Sequence, residues 1–246
     1  MLRVMSSEAG EARARAKALA EAAVQTAATL ELPPRRKMPS EASEGAPPYS
    51  ERLALAFAYA AAQHRLQVRK GTSIPYLTHL MSVAALVGEH GGGEDEMMAA
   101  LLHDAVEDTG GAPVLALIRE RFGERVARIV EGCTDDDGTQ PGGGKRPWIA
   151  RKTAYLTHVA EAPLEVLRVS ASDKLHNLRT IVADLRVEGT AVFDRFKAGR
   201  VGTLWYYRSL SSIFTAVAVD GVADDGFRRL AGALARTVAE LEAALG

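Results

Sequence analysis

The sequence predicts an all-α protein, on two observations. Apolar residues recur every three or four positions in one segment after another, as one face of a helix requires. Few segments alternate with period two between turn signals, so a β architecture is not expected. No internal repeat interrupts this reading. Taken in order, residues 8–32 mix alanine with Glu, Arg and Lys, which gives high helix propensity. An alanine face buries little area, so this helix is expected to be loosely attached. Residues 33–48 hold five prolines among Ser, Glu and Gly, the composition of a linker. The chain is therefore divided into residues 1–48, an Ala-rich helix with a Pro-rich linker, and residues 49–246, the compact domain. Within that domain Leu53, Phe57 and Ala60–Ala61 mark a first helix, and Leu80, Val83, Ala84 and Val87 a second. Residues 97–106 begin apolar and end charged. Residues 114–122, 126–130, 149–159 and 163–185 continue the helical pattern, and residues 204–217 and 225–245 complete it. Residues 135–147 contain four glycines, two prolines and three consecutive aspartates, and read as a long exposed loop of a kind that is often functional or mobile.

Composition narrows the function classes. A chain of 246 residues fits one large domain with an appendage, long enough to bury a sizeable core. With 47% hydrophobic and 25% charged residues it is not a wholly disordered protein. Lys plus Arg total 30 against 31 acids, for a net charge of -1, which argues against a uniformly basic nucleic-acid binder. The single cysteine, Cys133, rules out an internal disulfide framework and reads as a small buried residue. No run of about 18 apolar residues suggests a membrane span. Acids and bases interrupt the first thirty residues, which is wrong for a signal peptide. A soluble cytoplasmic protein is expected, with neither nucleic acid nor membrane as partner; oligomeric state is not readable.

The densest polar group is His103-Asp104-Ala105-Val106-Glu107-Asp108. On a helix, Glu107 lies four residues from His103 and Asp108 four from Asp104, so one turn presents an imidazole and three carboxylates together. Like charges this close repel, and burying them unpaired is costly. A cation resolves both problems, and imidazole nitrogen with carboxylate oxygen suits a divalent transition metal. The alternative is an acidic, solvated helix end, which the apolar run Met98-Ala99-Ala100-Leu101-Leu102 before it disfavours. Further ligands must come from elsewhere. His79 opens the apolar stretch after Ile74-Pro75-Tyr76, and Asp173, Lys174, His176 and Asn177 crowd an otherwise apolar helical segment, where buried polar groups need partners.

A lone His, an adjacent His-Asp pair and a distant Asp, in that order, resemble the HD superfamily of metal-dependent phosphohydrolases. The residues 103–109, His-Asp-Ala-Val-Glu-Asp-Thr, are similar to the "HDxxEDT" segment of the hydrolase domain of RelA/SpoT proteins. Arg69-Lys70-Gly71 with Pro75-Tyr76 and His79 resembles that family's "RK-G-PY--H". Asp173-Lys174-Leu175-His176-Asn177-Leu178-Arg179-Thr180 resembles its "D-(R/K)-L-H-N-x-R-T". Arg121-Phe122-Gly123 and Val130-Glu131-Gly132-Cys133-Thr134 fall where the family has "FG" and "V-(D/E)-G-x-T". The resemblance covers about residues 50–215. It implies an HD-domain helical bundle holding one manganese ion (Mn2+) and hydrolysing the 3′-diphosphate of the alarmone (p)ppGpp. It implies His79, His103, Asp104 and Asp173 as metal ligands and Glu107 and Asp108 as the catalytic pair that orients or deprotonates water. Asn177 is implied in the nucleotide pocket, with Arg69 and Lys70 meeting base or phosphates.

The chain departs from the family in three respects. It has no room for the synthetase and regulatory domains of long RelA/SpoT enzymes, so a stand-alone small alarmone hydrolase is implied. Residues 1–48 have no counterpart there, and residues 135–147 are more acidic and Gly-rich than the corresponding connection. Beyond the motifs, Lys145, Arg146, Arg151 and Lys152 either reach the 5′-phosphates or form a solvated helix start. Trp205-Tyr206-Tyr207-Arg208 is either core packing or, through Tyr206 or Arg208, a border of the nucleotide pocket. His64 and His176 read as structural. Two other functions stay open: a phosphohydrolase for another nucleotide or NADPH, and a regulator that binds alarmone without turnover. The Glu107-Asp108 pair and Arg69-Lys70 favour the alarmone hydrolase, and metal content separates it from the regulator.

Overall fold

The computed structural model describes residues 17–18, 49–135, 146–219 and 223–246, and the account below concerns the unit of residues 46–246. The expected N-terminal helix and linker, and most of the acidic loop, lie outside the described residues. Helix α1 spans Glu51–Gln63, α2 Leu77–Glu89, α3 Glu94–Leu102, α4 Ala105–Thr109, α5 Ala112–Phe122 and α6 Glu124–Cys133. They are followed by α7 (Trp148–Glu161), α8 (Leu164–Glu188), a 3-10 helix (Gly189–Arg195), α9 (Gly199–Val219) and α10 (Asp225–Leu245). Among the described residues there is no β-strand, only an isolated antiparallel bridge between Val68 and Pro75. No described helix is long and apolar enough to cross a membrane.

The sequence periodicities become two apolar cores that share one helix. Leu80 and Val83 of α2, Met98 and Leu102 of α3, Ile118 of α5 and Ile129 of α6 fill the first. Tyr155 of α7, Leu175 and Leu178 of α8, Phe214 of α9 and Phe227 and Leu234 of α10 fill the second. Helix α8, with 25 residues, is about 37 Å long at 1.5 Å per residue. It gives Val166 and Val169 to the first core and Leu167, Ala171 and Leu175 to the second. Asp173 stands near its middle, at the seam.

One buried cation ties the elements that flank this seam. The Arg168 guanidinium of α8 is 4% exposed. It donates from Nε to Glu96 Oε1 at 2.9 Å, from Nη1 to the His90 carbonyl at 2.9 Å, and from Nη2 to Asp224 Oδ2 at 2.7 Å. Asp224 in turn N-caps α10, accepting from the Phe227 amide at 2.8 Å. The close approach here needs glycine: a Cβ on Gly226 would stand 2.0 Å from the His90 carbonyl oxygen.

Three features differ from the periodicity reading. The segment 97–106 is not one helix: α3 stops at Leu102 and α4 begins at Ala105. His103 Nδ1 donates to the Ala100 carbonyl at 2.8 Å, one of the last-turn carbonyls that a helix end leaves without backbone partners. On α1 the inward face is Ala56 and Ala60, and Phe57 is 39% exposed, so the helix is rotated by about one position from the expected stripe. The 3-10 helix, which buries Val192 and Phe193, was not foreseen.

Candidate functional site

The helix break has a chemical consequence. It turns His103 and Asp104 toward His79, in the first turn of α2, and toward Asp173, halfway along α8. His79 Nε2 lies 3.1 Å from Asp173 Oδ1 and 3.7 Å from Asp104 Oδ2. His103 Nε2 lies 3.0 Å from Asp104 Oδ2 and 3.6 Å from Asp173 Oδ1. Both histidines and Asp173 are buried, and Asp104 is half-buried. His79, His103 and Asp104 form a group that could hold a metal ion. The structure thus brings together the four side chains that the family resemblance implies as ligands.

Neighbouring side chains set the chemistry of these donors. Because His103 Nδ1 donates to a carbonyl, Nε2 is the edge turned to the carboxylates, and the neutral ring would offer its lone pair there. His79 Nδ1 faces His176 Nδ1 at 2.8 Å. Burial and the adjacent His79 push His176 down to about 4, so at neutral pH it is uncharged and can accept from His79. That again leaves the His79 Nε2 lone pair facing the carboxylates. Neither Nε2 has a hydrogen-bond partner, although both are buried. Asp173 Oδ1 accepts from Asn177 Nδ2 at 2.6 Å, and its Oδ2 accepts from Lys174. Asp104 Oδ2 accepts from Tyr76 Oη at 2.5 Å. Burial opposes protonation of His103, but the charges of Asp104 and Asp173 outweigh it and hold the imidazole well above its usual range. Burial opposes ionisation of Asp104, and the His103 charge reverses that, so the carboxyl sits below its ordinary value. The field between the rings favours positive charge. Two bare, buried imidazole nitrogens facing two carboxylates fit a divalent transition cation.

The two remaining acids of the motif point differently. Glu107 is half-buried and Asp108 exposed, both on α4. Asp108 Oδ2 accepts from Gln67 Nε2 at 2.8 Å. Gln67 Oε1 in turn lies 2.5 Å from His64 Nδ1. Glu107 stands close enough to act on Lys152: burial and the Lys174 charge lower that ammonium, while Asp135 and Glu107 oppose the shift.

A cavity of about 440 Å³ adjoins the four-residue cluster, since Tyr76, Lys174, His176 and Asn177 of its lining each hydrogen-bond one of the four. Of the residues expected to meet substrate, Arg69, Lys70, Asn177, Lys152 and Tyr206 line it. Arg69 Nη2 donates to Asn177 Oδ1 at 2.6 Å, and its guanidinium lies 5.6 Å from the Tyr76 ring centre. The turn that presents Arg69 and Lys70 is closed by the Arg69 amide donating to the Ile74 carbonyl at 2.8 Å. It passes through Gly71 at φ 74, where a Cβ would stand 2.9 Å from Arg195 Cδ. Lys152 Nζ lies 4.9 Å from the Tyr206 ring centre. Arg151 does not line the cavity: it is 9% exposed, and its Nη1 donates to Asp135 Oδ1 at 2.7 Å. Asp135 also accepts from Lys152 at 2.5 Å, so one carboxylate holds both cations and offsets part of their charge.

Arg208 faces away, paired with Glu242. Cys133 is half-buried, not buried. Sequence reasoning did not single out Trp148, Phe196 or Arg195, which also line the cavity, and it named Tyr207 only as a member of an aromatic-basic group. Lys174 and His176 stand inside a motif that was read, whereas Arg195 and Phe196 carried no signal. Arg195 is held at the wall by Asp184, which accepts from it at 2.7 Å, and by Glu188.

Comparison with known proteins follows the same lines. The HD domain family model matches residues 56–204. A guanosine-3′,5′-bis(diphosphate) 3′-pyrophosphohydrolase of Aquifex aeolicus is 38% identical over 135 residues, which are 55% of this chain and 18% of that protein. The protein of that name from Xenopus tropicalis, MESH1, is 36% identical over 126 residues, 50% of this chain and 65% of its own length. Against these curated relatives the match spans less than two thirds of their length. The crystal structure of lmo0812 from Listeria monocytogenes superposes with a TM-score of 0.52 at 28% identity, over 63% of this chain and 96% of that one. The family match takes in α2 to α8 entire, and with them His79, His103, Asp104 and Asp173: the chain belongs to the HD domain family.

Proposed function

We propose that this protein hydrolyses guanosine 3′,5′-bis(diphosphate) at its 3′-diphosphate, adding one water and releasing GDP and pyrophosphate. One observation carries the reading: two buried imidazole nitrogens without hydrogen-bond partners face two carboxylates beside a cavity lined by cations and aromatic rings. The names of the Aquifex and Xenopus relatives support the choice of nucleotide. His79, His103, Asp104 and Asp173 would hold one divalent ion, proposed to be manganese. When bound, such an ion supplies Lewis-acid polarisation of a phosphoryl oxygen and makes water a stronger acid.

The protein's own groups do the rest. Glu107 and Asp108 orient the attacking water and take its proton. Lys152, Lys70 and Arg69 offset the phosphate charge, and Lys174 holds Asp173 in its ionised form. The planar Arg69 guanidinium can stack on a purine face, which an ammonium cannot do. Tyr206 and Tyr207 supply apolar wall. A small nucleotide substrate, no nucleic acid or membrane partner, and a cytoplasmic place of action belong to the same proposal.

The test is incubation of the purified protein with ppGpp, with Mn2+ and then with EDTA, and separation of products by ion exchange. Metal-dependent release of GDP and pyrophosphate supports both reaction and regiochemistry. Bound metal without turnover of ppGpp would move the activity to another nucleotide or to NADPH. Failure to bind any supplied metal would favour a regulator that senses alarmone without turnover.

A further inference from the structure

His64 and Gln67 lie outside the four-residue cluster, and nothing in the reaction described above uses them. His64 follows α1 and is 2% exposed, and Gln67 is half-buried in the turn beyond it. Two backbone bonds fix the turn: the Gln67 amide donates to the His64 carbonyl at 3.0 Å, and the Tyr76 amide to the Gln67 carbonyl at 2.9 Å. The His64 ring stacks on Tyr76, with centroids 5.4 Å apart and planes at 30°. A histidine kept only for that stacking would have no need of a polar edge.

Its polar edge faces a chain of bonds with one possible polarity. A carboxylate only accepts, so Gln67 must turn its NH2 group to Asp108 Oδ2, at 2.8 Å. The Gln67 carbonyl oxygen then faces His64 Nδ1 at 2.5 Å, and that nitrogen must carry a proton. His64 Nε2 is buried without a partner. A buried acceptor left bare costs stability, and the bond from the other nitrogen is what the ring gains against that cost. We propose that His64 and Gln67 are positioning residues: His64 fixes the Gln67 amide, and Gln67 fixes the Asp108 carboxylate that would otherwise rotate freely at the surface of α4. The proposal rests on the reading of Asp108 as one of the catalytic pair.

Three variants of the full-length, Mn2+-loaded protein test it, each followed by steady-state kinetics on ppGpp and by metal stoichiometry. Gln67→Met keeps length and removes both bonds. His64→Phe keeps the ring on Tyr76 and removes the donor. His64→Asn places an amide N–H near the position of Nδ1 and removes the ring. Misplacing a catalytic group costs on the order of a hundredfold, so Gln67→Met and His64→Phe should lose about 10- to 100-fold in kcat. KM and metal content should stay near the parent's, and His64→Asn should recover most of the kcat that His64→Phe loses. Parent-like kcat in Gln67→Met, in a series where Asp108→Asn loses turnover, would overturn the proposal. So would equal losses in kcat and metal content, the mark of a merely structural role. A measurement free of turnover stands beside these: two-dimensional 15N–1H correlation of the parent protein should place the His64 ring proton on Nδ1. A proton on Nε2 alone refutes the bond chain whatever the substrate is. A parent that leaves ppGpp intact refutes the substrate reading and not this one, which the tautomer then decides.

Discussion

Arg168→Met should be among the most destabilising single changes in the domain, and its size can be worked from the contacts. The substitution keeps an unbranched apolar stem and deletes the guanidinium that serves Glu96, the His90 carbonyl and Asp224. The Glu96 carboxylate is only 8% exposed and would keep just the Gly93 amide, at 2.8 Å, as donor. Removing one partner of a buried pair costs about 3–5 kcal/mol, because the other charge stays buried without its counterion. The Asp224 carboxylate is 49% exposed, so its share is small, at most about 1 kcal/mol after solvent screening. At roughly 2–4 °C per kcal/mol for a domain of this size, the melting temperature should fall by about 6–24 °C. Thermal melts followed by circular dichroism, with urea titrations to check that the m-value is unchanged, read the effect. The double variant Arg168→Met with Glu96→Gln should recover much of the loss, since no buried charge is left over. A single-variant loss under about 1 kcal/mol, or a double variant no better than the single, would refute the assignment of the cost to a stranded carboxylate.

Four further outcomes follow from other sites. Asp104→Ala should fail to retain Mn2+ after dialysis and lose turnover with it; full metal retention by mass spectrometry would remove Asp104 from the ligand set. Glu107→Ala should keep metal and nucleotide binding and lose about 10²- to 10⁴-fold in kcat, as expected for an acid–base group; hydrolysis at the parent rate would discard its assignment. The hydrogen bond from Arg168 holds the Asp224 carboxyl below its ordinary value of 3.8, so its contribution is present above that value and lost as pH falls through the lowered one. The stability gap between parent and Asp224→Asn should therefore be level near neutrality and close on acidification below 3.8; a gap that widens there would contradict the pairing. Gly226→Ala should cost about 1–3 kcal/mol through forced displacement of α10 from the His90 carbonyl, and an unchanged melting temperature would show that the helix shifts freely.

The parts of the fold that were legible in sequence are those written in local periodicity. Leu80, Val83, Ala84 and Val87 recur with the helix and are buried in α2. The break at His103–Asp104 was invisible because nothing local announces it. No glycine or proline stands there, and the apolar run continues on both sides. Phe57 misled because apolar character predicts the inward face only where a partner is large enough to cover it, and here small alanines do the packing. At the site, the 103–108 cluster stood out because an imidazole with three carboxylates is expensive to bury without a purpose. The four-ligand set became readable only through the resemblance of its order to the HD superfamily. Tyr76 beneath Asp104, and His176 behind His79, were not readable, since each role depends on a contact between distant parts of the chain. The side to which Arg151 turns was left open for the same reason. A cation next to an acidic loop can turn toward the loop or the cavity, and the choice lies in the packing of Asp135.

The seam position of α8 also bears on the order in which the protein can be made. Three of the four candidate ligands belong to elements that leave the ribosome before α8, and the fourth rides on a helix that both cores need. A nascent chain that ends before α8 thus exposes an incomplete chelate and an apolar face at the same time. Completion of α8 supplies the fourth candidate ligand and covers the first core, while the second core waits for α9 and α10. The candidate chelate and the first core are thus completed by the same helix, so a chain still short of α8 has neither the full set of candidate ligands nor a closed first core.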